Sequence, residues 1–249
     1  MKLGIISALH EEQEGLVEAL EGPHKLTHGM RDYWTGKLGS IDAVCVLSRI
    51  GKVAAAMTAT SLVERFGVTH ILFTGVAGSG DSGVQVGDIV IAESLVQHDM
   101  NASPLFPRFE VPLTGQSHFL TDVKMSARLA QAAHGFLDHD LVNAIDTEER
   151  KEFGLQAPRL HRGLIASGDQ FVHQKSQLGA IRDALPGLLA VEMEGAAVAQ
   201  ACFELGVPFA VVRTISDNAN EDAATDFMRF VKSVAARYSY FIVKRFSQA

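Results

Sequence analysis

The chain has 249 residues, 47% hydrophobic and 20% charged, with a formal net charge of −7. That is an ordinary globular composition; its acidic balance argues against nucleic acid or an anionic membrane as the main partner and for a small-molecule ligand. Nothing is long enough to span a bilayer, and the apolar run in "MKLGIISALHEEQEG" stops at His10-Glu11-Glu12, too short and acidic for a signal peptide.

Cys45 and Cys202 both lie in apolar segments, as small core residues rather than a disulfide, so a reducing, cytoplasmic setting is expected. No Cys/His pattern has zinc spacing, and no metal is expected. With no linker or low-complexity stretch, residues 1–249 are expected to form one domain.

"KLGIIS" reads as a buried strand, followed by a helix over Glu11 to Leu20 with an acidic first turn. "DYWTGKLGSIDAVCVLS" alternates around a Gly-Ser turn as a hairpin, and "GKVAAAMTATSLVERFG" is an Ala-rich helix closed by Gly67. "THILFTG", "IVIAESLVQHD", "HRGLIASGD", "GLLAVEME" and "PFAVVRTIS" supply further strands, with helices between them and a final long helix over Asp222 to Arg245. This order predicts an α/β fold, a mixed, largely parallel, doubly wound central sheet flanked by helices. Residues 137–160, charged and weakly periodic, read as a partly helical surface excursion.

"GSGDSG" matches the dinucleotide fingerprint from Gly78 to Gly83, but "VQVGDIVIAESLV" resumes a strand where the fingerprint needs a helix. "RIGKVA" lacks the upstream glycine of a Walker loop. Gly75 and Gly78, after a buried strand, instead let backbone N–H groups approach a ligand closely.

Acidic residues follow three strands: Glu11 and Glu12 after the first, Glu192 and Glu194 after "LLAV", and Asp217 after "AVVRTIS". Strand alternation sends Glu192 and Glu194 to one side with Met193 opposite. Each carboxylate has a plain alternative, Glu12 and Glu194 as helix N-terminal charges and Asp217 as a cap. Ligands bind at the carboxyl ends of such sheets, and three acidic sites at one edge tip the balance toward acid/base chemistry.

"GIISALHEE", "SRIGKVAAA", "FTGVAG", "VGDIV", "LVQHD", "GLIASGDQFV", "AVEMEGAAVA" and "VVRTISDNA" together resemble the bacterial 5'-methylthioadenosine/S-adenosylhomocysteine nucleosidases of the purine nucleoside phosphorylase superfamily, through almost the whole chain apart from the excursion. The resemblance implies hydrolysis of the N-glycosidic bond of an adenine nucleoside to adenine and a 5-substituted ribose, in methionine salvage and the activated methyl cycle, with no cofactor. It further implies that Asp217 protonates adenine N7, Glu12 activates water and Arg213 helps position it, with Ser216 orienting Asp217. Glu194 takes the ribose hydroxyls beside Met193, Phe171 stacks on adenine, and the Val172 backbone reads the base edge. Ala77, Gly78 and Glu192 join the substrate contacts. Leu9, Ile50 and Phe227 line an apolar 5' pocket that Ala102, Leu105 and Phe106 of a partner subunit complete, the family being homodimeric.

Two positions depart from the family pattern. Val76 stands where some members have serine and offers the water no hydroxyl, and Arg49 stands where some have glycine. A phosphorylase would need converging phosphate donors, yet the first loop offers "ALHEE", whose carboxylates repel a phosphate dianion. A silent nucleoside-binding module would need no acid and base. The 5' substituent stays open among methylthioadenosine, S-adenosylhomocysteine, 5'-deoxyadenosine and aminodeoxyfutalosine.

Overall fold

The computed structural model describes residues 1–248. In chain order its first half comprises β1 (Lys2–Ser7), α1 (His10–Gln13), β2 (Glu21–His28), β3 (Arg31–Leu38), β4 (Ile41–Leu47), α2 (Lys52–Glu64), β5 (His70–Ser79), β6 (Ile89–Gln97) and β7 (His118–Leu120). The second half adds α3 (Val123–Gly135), α4 (Leu141–Ala144), α5 (Thr147–Glu152), β8 (Leu160–Ser167), α6 (Lys175–Ala184), β9 (Leu188–Glu192), α7 (Gly195–Leu205), β10 (Phe209–Asp217), α8 (Ala223–Phe230) and α9 (Ala236–Gln248).

The ten strands form one mixed sheet in the order β10-β6-β8-β9-β5-β1-β4-β3-β2, with β7 on β6 and β10 also paired to β5. The extra pairing closes β5, β10, β6, β8 and β9 into a barrel, while β1 and the β4-β3-β2 meander continue as an open sheet. The expected open sheet is thus closed at one end by antiparallel pairings of β10 with β6 and of β5 with β9.

Strand alternation divides the core between the two faces. Leu3, Ile5, Cys45 and Leu72 pack with Leu129 of α3 and Ile242 and Phe246 of α9, while Ile6, Val44, Val46 and Phe73 pack with Ala55 and Ala59 of α2 and Ala196 and Ala199 of α7. The alanines on α2 and α7 let these two helices pack together over the sheet. Both cysteines are free core residues, their thiols pushed up to about 12, chiefly by burial.

The placement of β5 creates the site. One edge pairs with β10 through residues 71–78. The other is shared: β1 pairs with it at residues 70–73, and β9 only at Gly78 and Ser79. Between these, residues 74–77 have no strand neighbour on that side, and the ends of β1, β9 and β10 converge around the opening.

Three expectations change. The first helix ends at Gln13 rather than Leu20, because Gly15 turns into the left-handed region at φ 82° and the chain continues as turns. The hairpin gains a third strand, β2, whose residues "EGPHKLTH" are all exposed and therefore carry no burial pattern. The excursion includes α4 and α5 and is tied down: Leu141, Ile145 and Leu155 are buried, and Asp140, Glu149 and Glu152 pair with Arg245, Arg237 and Arg229 of the final helical segment. That segment runs as expected, with a π-helical turn at Val231–Ala235 between α8 and α9.

Candidate active site

At the opening beside β5 lies a cavity of about 340 Å³, at the small end of the usual range for ligand sites. Glu12, Glu192, Glu194 and Asp217 all line it and all are buried. Charged groups this deep need partners, and each has a distinct set.

Glu12 sits on α1, immediately beyond β1. Its Oε2 accepts from the Ala8 and Leu9 amides at 2.8 and 2.9 Å, and its Oε1 from the Val76 amide at 3.0 Å. The Val76 bond fills the unpaired stretch of β5. Gly75 is required next to it, since a Cβ there would lie 2.8 Å from Glu12 Oε1 and 3.1 Å from Arg213 Nη1. Burial pushes the Glu12 carboxyl above its ordinary value, while the Arg213 charge and the three amides pull the other way.

Asp217 ends β10 just past a β-bulge between Ile215 and Asp217, a device that re-aims a strand's side chains. Its Oδ1 accepts from the Ala219 amide at 2.9 Å and its Oδ2 from the Ser216 hydroxyl at 2.8 Å. Burial raises it to about 6, against those two hydrogen bonds. No cation contributes to its environment.

Glu194 accepts from the Gly51 amide at 2.8 Å. Burial first, and the neighbouring Glu192 second, raise its carboxyl. Glu192 differs: its Oε2 pairs with Arg213 Nη2 at 2.6 Å, and its oxygens accept from the Gly195 amide, the Glu194 amide and Ser167 Oγ. It anchors the N-terminus of α7, whose dipole favours a negative charge.

Leu9, Ile50, Ala77, Gly78, Phe171, Val172, Met193 and Phe227 also line the cavity. The Phe171 and Phe227 rings meet edge to face at 5.6 Å. Val76 lines it as well, presenting no hydroxyl. Not every expectation holds as written. Glu192, Met193 and Glu194 all face the cavity, because β9 ends at Glu192 and alternation stops there. Glu192 spends its oxygens on protein donors. Arg213 lies behind the wall, fully buried against Glu192 and over the Phe73 ring at 3.9 Å, and Ser216 stands behind Asp217. Ala102, Leu105 and Phe106 do not line their own chain's cavity. Arg49 faces an adjacent cavity instead.

Ala8, Gln170 and Val191 line the site without having been singled out, and Ser167 and Gly51 hold its glutamates. The last two stand inside the segments "GLIASGDQFV" and "SRIGKVAAA", but a hydroxyl or amide that supports another residue has no signature of its own.

Buried carboxylates beside an aromatic corner, at the carboxyl ends of converging strands, define a small-molecule enzyme site. The chain belongs to the phosphorylase superfamily, whose family model matches residues 2–247. It is 34% identical to the 5'-methylthioadenosine/S-adenosylhomocysteine nucleosidase of Shewanella frigidimarina over 93% of this chain and 92% of that protein. The solved nucleosidase of that name from S. pneumoniae, with the transition-state inhibitor MT-ImmA, superposes with a TM-score of 0.85 at 34% identity, covering 100% of this chain and 99% of the other. Futalosine hydrolase of Helicobacter pylori gives a TM-score of 0.84 at 31% identity, over 100% of this chain and 98% of the other. Within the superfamily the chain is a member of the 5'-methylthioadenosine/S-adenosylhomocysteine nucleosidase family.

Proposed function

We propose that the protein hydrolyses the N-glycosidic bond of 5'-methylthioadenosine and S-adenosylhomocysteine, releasing adenine and the 5-substituted ribose. The carrying observation is the division of labour between two buried carboxylates. Burial raises both, but at Glu12 it is opposed by three amide donors and the Arg213 charge, all favouring the ionised form, whereas at Asp217, raised to about 6, it is opposed by two hydrogen bonds and by no cation among the described residues. Environments that differ in this way separate a base from an acid.

In this reading, Asp217 gives its proton to adenine N7 as the C1'–N9 bond breaks and its electron pair leaves with the base. Glu12 takes a proton from water as the water oxygen bonds to C1'. Between these events the ribose carries oxocarbenium character, and the surrounding carboxylates stabilise that positive charge. Glu194 accepts from the ribose hydroxyls, whose donors offset the cost of its burial. Phe171 stacks on the base and the Val172 backbone reads its edge. Arg213 is a positioning residue: its pair with Glu192 fixes the start of α7, and its charge favours ionised Glu12. Ser216 orients Asp217.

The protein acts as a homodimer, in which Ala102, Leu105 and Phe106 of one copy close the 5' pocket of the other. Ile50 and Phe171 at the cavity are 55% and 38% exposed and Leu105 is 84% exposed, apolar surface suited to a partner.

The test is chromatographic measurement of adenine release from methylthioadenosine with and without phosphate. Release independent of phosphate, with free methylthioribose as co-product, is expected. A requirement for phosphate, with the sugar 1-phosphate formed, would reassign the protein as a phosphorylase.

A further inference from the structure

Past Leu9 and Ile50 the site borders a second, wider cavity of about 950 Å³, with Ala8, Leu9 and Ile50 lining both. The first cavity is apolar where these residues stand; the second mixes apolar wall from Val17, Met30, Trp34 and Leu47 with charged side chains of both signs. The α1 side contributes Glu11, Glu14 and Glu18, and the strand side contributes Arg31 and Arg49.

These charges are largely unspent. Neither Glu11, Glu14 nor Arg49 has an ion-pair partner among the described residues. Arg31 is committed to the carbonyls of Gly29, Ser48 and Ala54, and Glu18 accepts from the Gly15 amide. Asp32, also on this cavity, is held by Lys25 and Thr27. Arg49 makes one hydrogen bond, from Nη2 to the Met30 carbonyl at 2.6 Å, leaving its other donors available. It does so from φ 71°, a conformation that costs a non-glycine residue energy. Gln13, on the same wall, has a buried amide nitrogen with no partner.

We propose that this cavity receives the far end of the 5' substituent and selects a zwitterionic, amino-acid-ended tail, with Arg49 taking the carboxylate and Glu11 and Glu14 the ammonium group. A methylthio group ends before the charged walls. A tail bearing only a carboxylate would meet Arg49 but be repelled by Glu11 and Glu14, and one bearing only an amine would leave Arg49 unmatched. The inference rests on the nucleosidase reading and assigns residues to its tail selectivity.

The experiment measures kcat/KM for adenine release from three nucleosides: methylthioadenosine, S-adenosylhomocysteine, and 5'-(3-aminopropylthio)-5'-deoxyadenosine, which keeps the ammonium and lacks the carboxylate. Arg49→Gly, which relieves the backbone as it removes the charge, should lose about fivefold to tenfold on S-adenosylhomocysteine, mainly in KM, the scale of a partly exposed charge-assisted contact. The other two substrates should be unaffected, and Arg49→Lys should recover most of the loss. Glu14→Gln should lower kcat/KM for both ammonium-bearing nucleosides and spare methylthioadenosine. Equal effects of Arg49→Gly on S-adenosylhomocysteine and methylthioadenosine, or no effect on either, would overturn the subsite while leaving the nucleosidase reading intact. Absence of release from all three by the wild-type protein would overturn both.

Discussion

Asp217 and Glu12 are separated by their neighbours rather than by residue type. Asp217 is moved from 3.8 to about 6 by burial, so near neutral pH only a minority of the free protein carries the proton that the proposed mechanism gives to the leaving group. The kcat/KM profile should therefore fall on its alkaline side with a midpoint near pH 6, and Ser216→Ala, by removing a donor to the ionised form, should move that midpoint upward. A stability consequence has a definite sign. Between pH 3.8 and about 6 the native state holds a proton that the unfolded chain has released, so the Asp217 contribution to stability is greatest at low pH and falls as pH rises through that window. Asp217→Asn should melt higher than wild type above pH 6, by at most ~3 kcal/mol, and the two should converge near pH 4. The same variant should lose turnover yet still bind nucleoside in calorimetry; an active Asp217→Asn would remove the residue from its role. Arg213→Met should cost about 3 to 5 kcal/mol in denaturant unfolding, because it leaves Glu192 buried without its cation. This network was only partly legible in the sequence. Asp217, Glu12 and Glu194 follow strands and stand out, but which glutamate binds Arg213 depends on distances across β9 and β10.

Among the elements, β5 does the most to assemble the site. The segment "THILFTG" reads as a buried strand from its apolar run, and the structure agrees; that its edge is divided between two neighbours is a tertiary fact invisible in local pattern. Gly75→Ala tests this directly. The added methyl would contact both Glu12 and Arg213, and displacing a catalytic group by about 1 Å can cost about 10²-fold in rate. The expected result is a fall of that order in kcat with KM much less affected, measured on methylthioadenosine. The elements misjudged from sequence fail for physical reasons. The first helix stops because Gly15 adopts a left-handed conformation inside an otherwise helical pattern, and β2 is held by pairing with β3 alone, without an apolar face to announce it.

For the whole molecule, alternation of strands and helices made the layered α/β architecture readable, since parallel strands need apolar cover on both faces. Closure of the barrel was not readable, because it depends on β10 meeting both β5 and β6, which are joined to it by pairings of opposite direction. The proposed dimer belongs to this scale. If the loop of one copy completes the 5' pocket of another, specific activity should fall on dilution in parallel with the sedimentation shift from dimer to monomer, and Leu105→Asp should produce the same loss at high concentration. Undiminished activity in a monomeric sample would show that one chain suffices.

The cradle around Glu12 has a further use. Three amide hydrogens converge on one carboxylate beside a buried guanidinium; trimming the side chain to Glu12→Ala would leave a receptor for a small anion in the place of the proposed base. That variant should release no adenine alone; added formate or azide should restore release, and azide should be able to end up bonded to the sugar in place of water. The fold would then be exchanging its nucleophile through a socket of main-chain hydrogens, with the sheet itself unchanged.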